Sequence, residues 1–140
     1  MSDNHIRFRY KHMLPNDKRI WDRFLEQYGD YFDYFDYDVR VGEGVGDIVG
    51  VDELTKEIAL ALTRKRIDAV GYRGEEIWVF EIKPRAGLSA LGQVTAYEEL
   101  WNRDFRPRRV SYKAIVTDRT DNDIRYLCQT QGIRLYEVGP

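Results

Sequence analysis

Cysteine is nearly absent from the sequence: Cys128 is the single thiol among 140 residues, which also include only four prolines. One cysteine cannot form an internal disulfide, and it excludes a metal or iron–sulfur centre built from cysteines. The N-terminal segment MSDNHIRFRYKHML lacks the apolar run of a secretory signal. No stretch approaches the roughly 18 apolar residues that a membrane helix needs. These absences predict a cytoplasmic protein without a membrane partner.

A strong excess of charge of one sign is also missing, since the formal net charge is -2. Strong non-specific nucleic-acid binding usually accompanies a basic surface, so the overall balance does not indicate it. The charges are unevenly spread, however. Basic residues outnumber acids between His5 and Arg19 and again between Arg103 and Arg109, whereas acids concentrate between Asp30 and Asp38. A local basic surface is therefore compatible with the composition.

The length and a composition of 43% hydrophobic and 33% charged residues predict one globular domain over residues 1–140. Within it, residues 1–15 alternate apolar and basic side chains and form a candidate basic arm. Periodicity and turn residues then predict helices at about 17–29, 52–63, 89–102 and 121–131, and strands at about 36–42, 66–72, 77–83, 109–117 and 133–138. This order predicts an α/β fold of the α+β type, with a central mixed β-sheet flanked by helices.

The runs RIDAVGY and IWVFEIK form a predicted hairpin with Gly74-Glu75 at its tip. A two-residue loop that begins with glycine suits a type II′ turn. Counting outward from that turn places Asp68 directly opposite Glu81. The pair falls at a non-hydrogen-bonded position, where Cα atoms lie about 4.5 Å apart.

Two carboxylates facing each other at this range repel and destabilise a sheet. A divalent cation between them removes the conflict, and Mg²⁺ suits it because it binds one or two carboxylates and keeps several waters. Lys83 lies two residues beyond Glu81 and emerges on the same face. A Glu-x-Lys sequence is by itself typical of a solvated strand face, but Asp68 lies inside a strand, where aspartate is depleted and needs a reason.

The following helix carries Gln93 and Tyr97, which share one helical face. Asp68, then Glu81-Ile82-Lys83, then the QVTAY segment of this helix together resemble the PD-(D/E)XK nuclease superfamily and its RecB-like branch. Ile67 stands where the family name expects proline, and the iron–sulfur cysteines of some RecB-like relatives are absent. The resemblance implies a restriction-endonuclease-like core that hydrolyses DNA phosphodiesters with Mg²⁺ or Mn²⁺, leaving 5′-phosphate and 3′-hydroxyl ends.

The resemblance also assigns roles. Asp68 and Glu81 are the implied metal ligands, with the backbone carbonyl of Ile82 as a third protein group. Lys83 is implied to orient or activate the attacking water. Gln93 is implied to hold the lysine strand or to contact the nucleic-acid backbone.

The surrounding residues supply further candidates. Many members of the superfamily add an acid from the first helix; Glu26 is the candidate here, and a solvated helix face is its alternative reading. The predicted nucleic-acid contacts, each with a solvated surface as the alternative, are Arg64, Lys65, Arg66, Arg85 and Tyr97.

DNA is the expected partner, and the assembly is left open between a homodimer and a larger replication or recombination complex. A non-catalytic nucleic-acid-binding or assembly module of the same fold is the alternative function, favoured by the modest charge and the acidic-aromatic segment DYFDYFDYD. The complete catalytic set argues against it, because a domain without catalysis has no need of a repulsive acid pair. A small-molecule hydrolase using the same acids is a third reading. DNA versus RNA, and endo- versus exonuclease action, also stay open.

Overall fold

The helices and strands follow the predicted order. The structure is a computed structural model that describes residues 13–45, 49–105 and 110–139. Its helices are α1 (Pro15–Tyr28), α2 (Glu53–Thr63), α3 (Leu88–Phe105) and α4 (Asn122–Thr130), and a short 3₁₀ turn covers Gly29–Tyr31. Its strands are β1 (Tyr34–Val41), β2 (Lys65–Arg73), β3 (Glu76–Arg85), β4 (Val110–Arg119) and β5 (Ile133–Glu137). The predicted α+β architecture is confirmed; residues 1–12, most of the predicted basic arm, lie outside the described residues.

The strands form one mixed five-stranded sheet in the order β1-β2-β3-β4-β5. The β1–β2 and β2–β3 pairs are antiparallel, whereas the β3–β4 and β4–β5 pairs are parallel. Each parallel pair is joined through a helix, α3 or α4. Right-handed connections that step in the same direction place both helices on one face of the sheet. This face and the two helices packed on it form one of the two buried apolar layers of the fold.

The first layer contains side chains of α3, of α4 and of one sheet face, among them Val94, Ile124, Val79 and Ile115. The second layer joins α1 to the opposite face and is rich in aromatic rings. Trp21 of α1, which is fully buried, packs edge-on against Phe80 of β3 with ring centroids 5.1 Å apart. Replacing such a ring with alanine typically costs about 3–5 kcal/mol. The sheet is therefore anchored on both sides close to the hairpin.

The acidic-aromatic segment DYFDYFDYD is the exit from α1 into β1. Phe32 and Phe35 are buried in the α1 layer, while Tyr31 and Tyr34 are partly exposed. The apolar rings of this segment therefore belong to the core.

Helix α1 begins two residues earlier than the sequence predicts. Pro15 occupies its first turn and Leu14 the N-cap position, with no side-chain cap. Proline at the first helical position is favourable because its missing N–H would have no helical partner there. Asn16 is already inside the helix. Asp17 consequently lies in the first turn of α1.

Helix α2 differs from the other helices in its packing. None of its described side chains is buried, and neither apolar layer includes one of them. Its N-terminus is capped by Asp52, whose carboxylate accepts the N–H of Thr55 at 2.7 Å. Within the described part of the chain, no helix is long and apolar enough to cross a membrane.

Candidate active site

The hairpin has the predicted register. The β2–β3 pairs run from Arg73 beside Glu76 to Ala69 beside Phe80. Gly74 has a φ of 54° and Glu75 has no positive φ, as a type II′ turn requires. The pairing ends there; one further step in the same register is Asp68 opposite Glu81, and the charge of Asp68 does act on Glu81.

The carboxylate of Asp68 itself bonds to β3. Its Oδ2 accepts the backbone N–H of Ile82 at 3.1 Å. The aspartate therefore fixes the backbone between Glu81 and Lys83. The Ile82 carbonyl, the implied third metal ligand, belongs to this fixed segment.

The hairpin acids open onto a cleft of about 320 Å³. Glu81 is only 5% exposed, and Lys83 places its Nζ 3.7 Å from Glu81 Oε1. The cleft collects most of the residues predicted from the sequence: Arg66, Asp68, Glu81, Ile82, Lys83, Gln93 and Tyr97. Strands β2 and β3 and helix α3 each contribute to it.

Four predicted residues are not among those that line the cleft. Arg64 instead joins β1 to β2, because its Nε donates to the Gly42 carbonyl at 2.7 Å. Lys65 and Arg85 are exposed, at the start of β2 and the end of β3. Glu26 is exposed on α1.

Another acid of the first helix lines the cleft. Asp17 is one of its lining residues and acts electrostatically on both Asp68 and Glu81. The sequence carried a signal for this position. Asp17 lies three and four residues before the buried Ile20 and Trp21, so it continues the inward face of α1, whereas Glu26 lies off that face.

Burial and neighbouring negative charge determine the pKa values of Asp68 and Glu81. Burial, with a smaller contribution from Asp17, raises the pKa of Asp68 to about 6, against the opposing effect of the Ile82 N–H. Burial and, to a smaller extent, the neighbouring Asp68 raise the pKa of Glu81 to about 8, against the opposing effect of Lys83. Burial also raises the pKa of Asp17. These carboxyl groups are thus held where their charged forms are costly, the situation that a nearby cation relieves.

The donor set fits a hard divalent cation. Mg²⁺ is commonly held by one or two carboxylates with waters completing its shell, and Asp68 with Glu81 supplies two. Among the described residues, no group of three acidic, histidine or cysteine side chains is arranged as a metal cage. The Lys83 ammonium lies close enough to share in neutralising Glu81.

Gln93 and Tyr97 of α3 complete the lining of the cleft. Gln93 lines the cleft, and its Oε1 is buried without a hydrogen-bond partner. Burial raises the pKa of Tyr97, as do Glu81 and Asp68. A buried acceptor without a donor is costly, so Gln93 is placed to accept from a bound water or substrate group.

Arg66 forms an ion pair at the cleft with a residue that the sequence does not single out. Its Nε lies 3.1 Å from Asp38 Oδ1. Asp38 has a φ of 57°, the one positive value at a non-glycine among the described residues. Its β1 neighbours pair with Ala69 and Ile67, so this strained residue lies alongside Asp68. A left-handed residue inside a strand cannot be anticipated from composition or period.

The second basic cluster is only partly described. Arg103 donates to Asp104 at 3.0 Å, and Arg106, Arg108 and Arg109 lie outside the described residues.

Several solved structures share this architecture. No protein-family model and no curated protein matches the chain. A repair endonuclease from Pyrococcus abyssi superposes with a TM-score of 0.53 at 15% identity over 86% of this chain and 46% of its own. A complex of EndoMS with dsDNA gives 0.52 at 14% identity over 91% and 46%. A protein of unknown function, AF1548, gives 0.54 at 18% identity over 86% and 56%.

At these identities the likeness shows the fold. The chain shares the fold of these structures, one of them a repair endonuclease, in agreement with the nuclease-like core that its motifs predict. It spans about half the length of the structures that it matches.

Proposed function

We propose that the protein is a metal-dependent nuclease that hydrolyses DNA phosphodiester bonds in the cleft between the hairpin and α3. The observation that carries the proposal is the placement of Asp68 alongside the buried Glu81, with Ile82 fixed between Glu81 and Lys83. Two buried carboxylates that repel each other destabilise the fold. A divalent cation bound between them removes that repulsion. The shared fold of a repair endonuclease and of EndoMS in complex with dsDNA supports DNA as the substrate.

The proposed metal ligands are Asp68, Glu81 and the Ile82 carbonyl. When bound there, Mg²⁺ or Mn²⁺ supplies a water of lowered pKa and polarises the phosphate. Asp68 has a second task, because its bond to the Ile82 N–H holds the β3 backbone in place. Asp17 adds negative charge to the same cleft from α1.

The remaining cleft residues act on the substrate. Lys83 is held near the acids and provides a fixed positive charge for the oxygens that gain negative charge in the transition state, the kind of preorganisation that usually dominates catalysis. Arg66, oriented by Asp38, is the proposed phosphate contact; such contacts position a duplex without reading its sequence. Gln93 is the proposed hydrogen-bond acceptor for a bound water.

The test is cleavage of linear, circular, single-stranded and branched DNA, with RNA alongside, in Mg²⁺ or Mn²⁺ and in chelator. We expect cleavage that requires the cation and is lost in Glu81→Gln and in Lys83→Ala. Glu81→Gln keeps the side-chain shape and removes a costly buried charge, so its fold is retained and its inactivity is interpretable. Leu88→Ala is a matched control, because Leu88 is exposed and does not line the cleft.

A nucleic-acid-binding module without chemistry is the second candidate. The proximity of Lys83 to Glu81 favours it, because an ammonium already partly neutralises the acid that a cation would neutralise. A wild-type protein that binds DNA and takes up no divalent cation, and that leaves every substrate intact, would establish this module in place of the nuclease.

A further inference from the structure

Helix α2 presents an apolar stripe to solvent. Leu54, Ile58 and Leu62 are spaced four residues apart and therefore lie on one helical face. Their exposed fractions are 66%, 51% and 74%. Val51, just before the helix, is 41% exposed and extends the apolar sequence by one turn. Contiguous apolar surface of this kind marks an interaction site more often than a free surface.

Among residues 13–45, 49–105 and 110–139, no segment covers the stripe. Neither described buried layer contains an α2 residue, and polar contacts tie the C-terminal end of the helix to the loop after β1. Thr63 Oγ1 accepts the N–H of Val45 at 3.0 Å, and Arg64, next in the chain, bonds to Gly42. A helix of 11 residues is marginal in water on its own, and packing of its apolar face normally supplies its stability. An occupant for the face is therefore expected.

The charge order of α2 indicates which occupant fits. Glu53 stands exposed at its start and Lys65 is exposed just after its end, whereas Asp52 caps the helix and Arg64 pairs with Asp104. A second α2 running antiparallel places acidic start beside basic end at both extremities, and the helix dipoles are also opposed. A parallel arrangement places like charges together.

The apolar positions obey the same symmetry. An antiparallel pair centred on Ile58 sets Leu54 of each copy against Leu62 of the other, and Ile58 against itself. A two-fold contact of this type uses the same patch on both copies and closes without further growth. The stripe therefore matches a second copy of itself both in the order of its apolar residues and in the charges at its two ends.

We propose that two copies of this chain associate through the Leu54–Ile58–Leu62 face of α2 in an antiparallel two-fold pair. This proposal does not depend on nuclease activity. It has a geometric consequence for the cleft, since α2 leads within a few residues into the part of β2 that carries Arg66 and Asp68. Pairing through α2 sets the spacing of the two clefts.

The first test is the mass of the full chain by sedimentation or light scattering from micromolar to millimolar concentration. We expect a wild-type dimer. Ile58→Glu should weaken it by about 100-fold or more, because two buried isoleucines are lost and two carboxylates meet at the two-fold axis. Tyr126→Glu is the matched control, since Tyr126 is 65% exposed on α4 and outside the stripe.

The second test reports orientation. Under mild oxidation, Ile58→Cys should cross-link to itself. Leu54→Cys alone should not, but should cross-link when mixed with Leu62→Cys. The native Cys128 is buried and does not compete.

Three outcomes would overturn the proposal: a wild-type monomer throughout, a dimer unaffected by Ile58→Glu, or Leu54→Cys cross-linking to itself. The first indicates that another partner covers α2, and the last indicates a parallel pair.

Discussion

The carboxylate of Asp68 accepts the backbone N–H of Ile82 across the two strands of the hairpin, at 3.1 Å. An acid that the superfamily resemblance assigns to the metal thus also replaces the next rung of the β2–β3 ladder. These two roles of Asp68 respond differently to substitution. Metal binding needs the negative charge, whereas the hydrogen bond to Ile82 needs only an acceptor oxygen.

Asp68→Asn and Asp68→Ala separate these tasks. Asparagine keeps an oxygen for the Ile82 N–H and removes the repulsion with Glu81, whereas alanine leaves that N–H without its partner. We expect Asp68→Ala to be less stable than Asp68→Asn by about 1–3 kcal/mol, and both to lose cleavage. Urea unfolding at pH 7.5 in chelator measures the difference. Equal stabilities would show that the Ile82 bond contributes nothing.

The raised pKa values of the hairpin acids predict how stability depends on pH. Asp68 has a pKa of about 6 against an ordinary value of 3.8, and Glu81 has a pKa of about 8 against 4.5. The folded state therefore binds more protons than the unfolded state between these limits, and stability falls as pH rises through them. The contribution of these two raised pKa values to the stability of the fold is fully present below about pH 4 and is lost progressively up to about pH 8.

Thermal unfolding in chelator checks this dependence. We expect the contribution of these acids to the melting temperature to fall between pH 5 and pH 8.5, and Glu81→Gln to flatten the decline. Mg²⁺ should raise the melting temperature more at pH 8 than at pH 5, because ligands must be deprotonated to bind it. A Mg²⁺ effect independent of pH would place the cation elsewhere.

The hairpin could be predicted from sequence because local chemistry fixes it. Gly74 selects the turn, the turn sets the register, and a period of two places Asp68 and Glu81 on one face. Asp17 differs from the predicted Glu26 because it continues the inward face of Ile20 and Trp21, and Pro15 extends α1 so that Asp17 lies within its first turn.

Other features needed tertiary information. The left-handed backbone of Asp38 leaves no trace in composition or period, and it exists only because the neighbouring strands hold it. The amphipathic pattern of α2 predicts a buried face, but it does not say what covers Leu54 and Ile58. The sequence thus predicts most of the residues that line the cleft, whereas the surfaces that the described chain leaves open require the structure.

Asp17→Asn and Glu26→Gln form a matched pair that tests which acid of α1 serves the cleft. Asp17 lines the cleft and acts on Asp68, Glu81 and Lys83, whereas Glu26 is exposed outside it. We expect Asp17→Asn to lower Mg²⁺ affinity or cleavage by about 10–100-fold, as outer-shell carboxylates do. Glu26→Gln should change neither. Titration of the melting temperature with Mg²⁺ reports affinity separately from turnover, and equal effects of the two substitutions would remove Asp17 from the site.

Arg66 and Arg85 provide the corresponding comparison for DNA binding. Arg66 lines the cleft and is oriented by Asp38, with Nε 3.1 Å from Oδ1, whereas Arg85 is exposed and does not line it. If Arg66 contacts a phosphate, Arg66→Ala should weaken binding for all sequences alike and reduce the slope of log affinity against log salt by about 0.9. Arg85→Ala should leave the slope unchanged. Asp38→Asn tolerates the left-handed backbone and removes the charge that orients Arg66, so we expect it to weaken binding without changing the salt slope. Fluorescence anisotropy in chelator over a range of salt concentrations measures all three, and a slope that falls for Arg85→Ala but not for Arg66→Ala would move the DNA path away from the cleft.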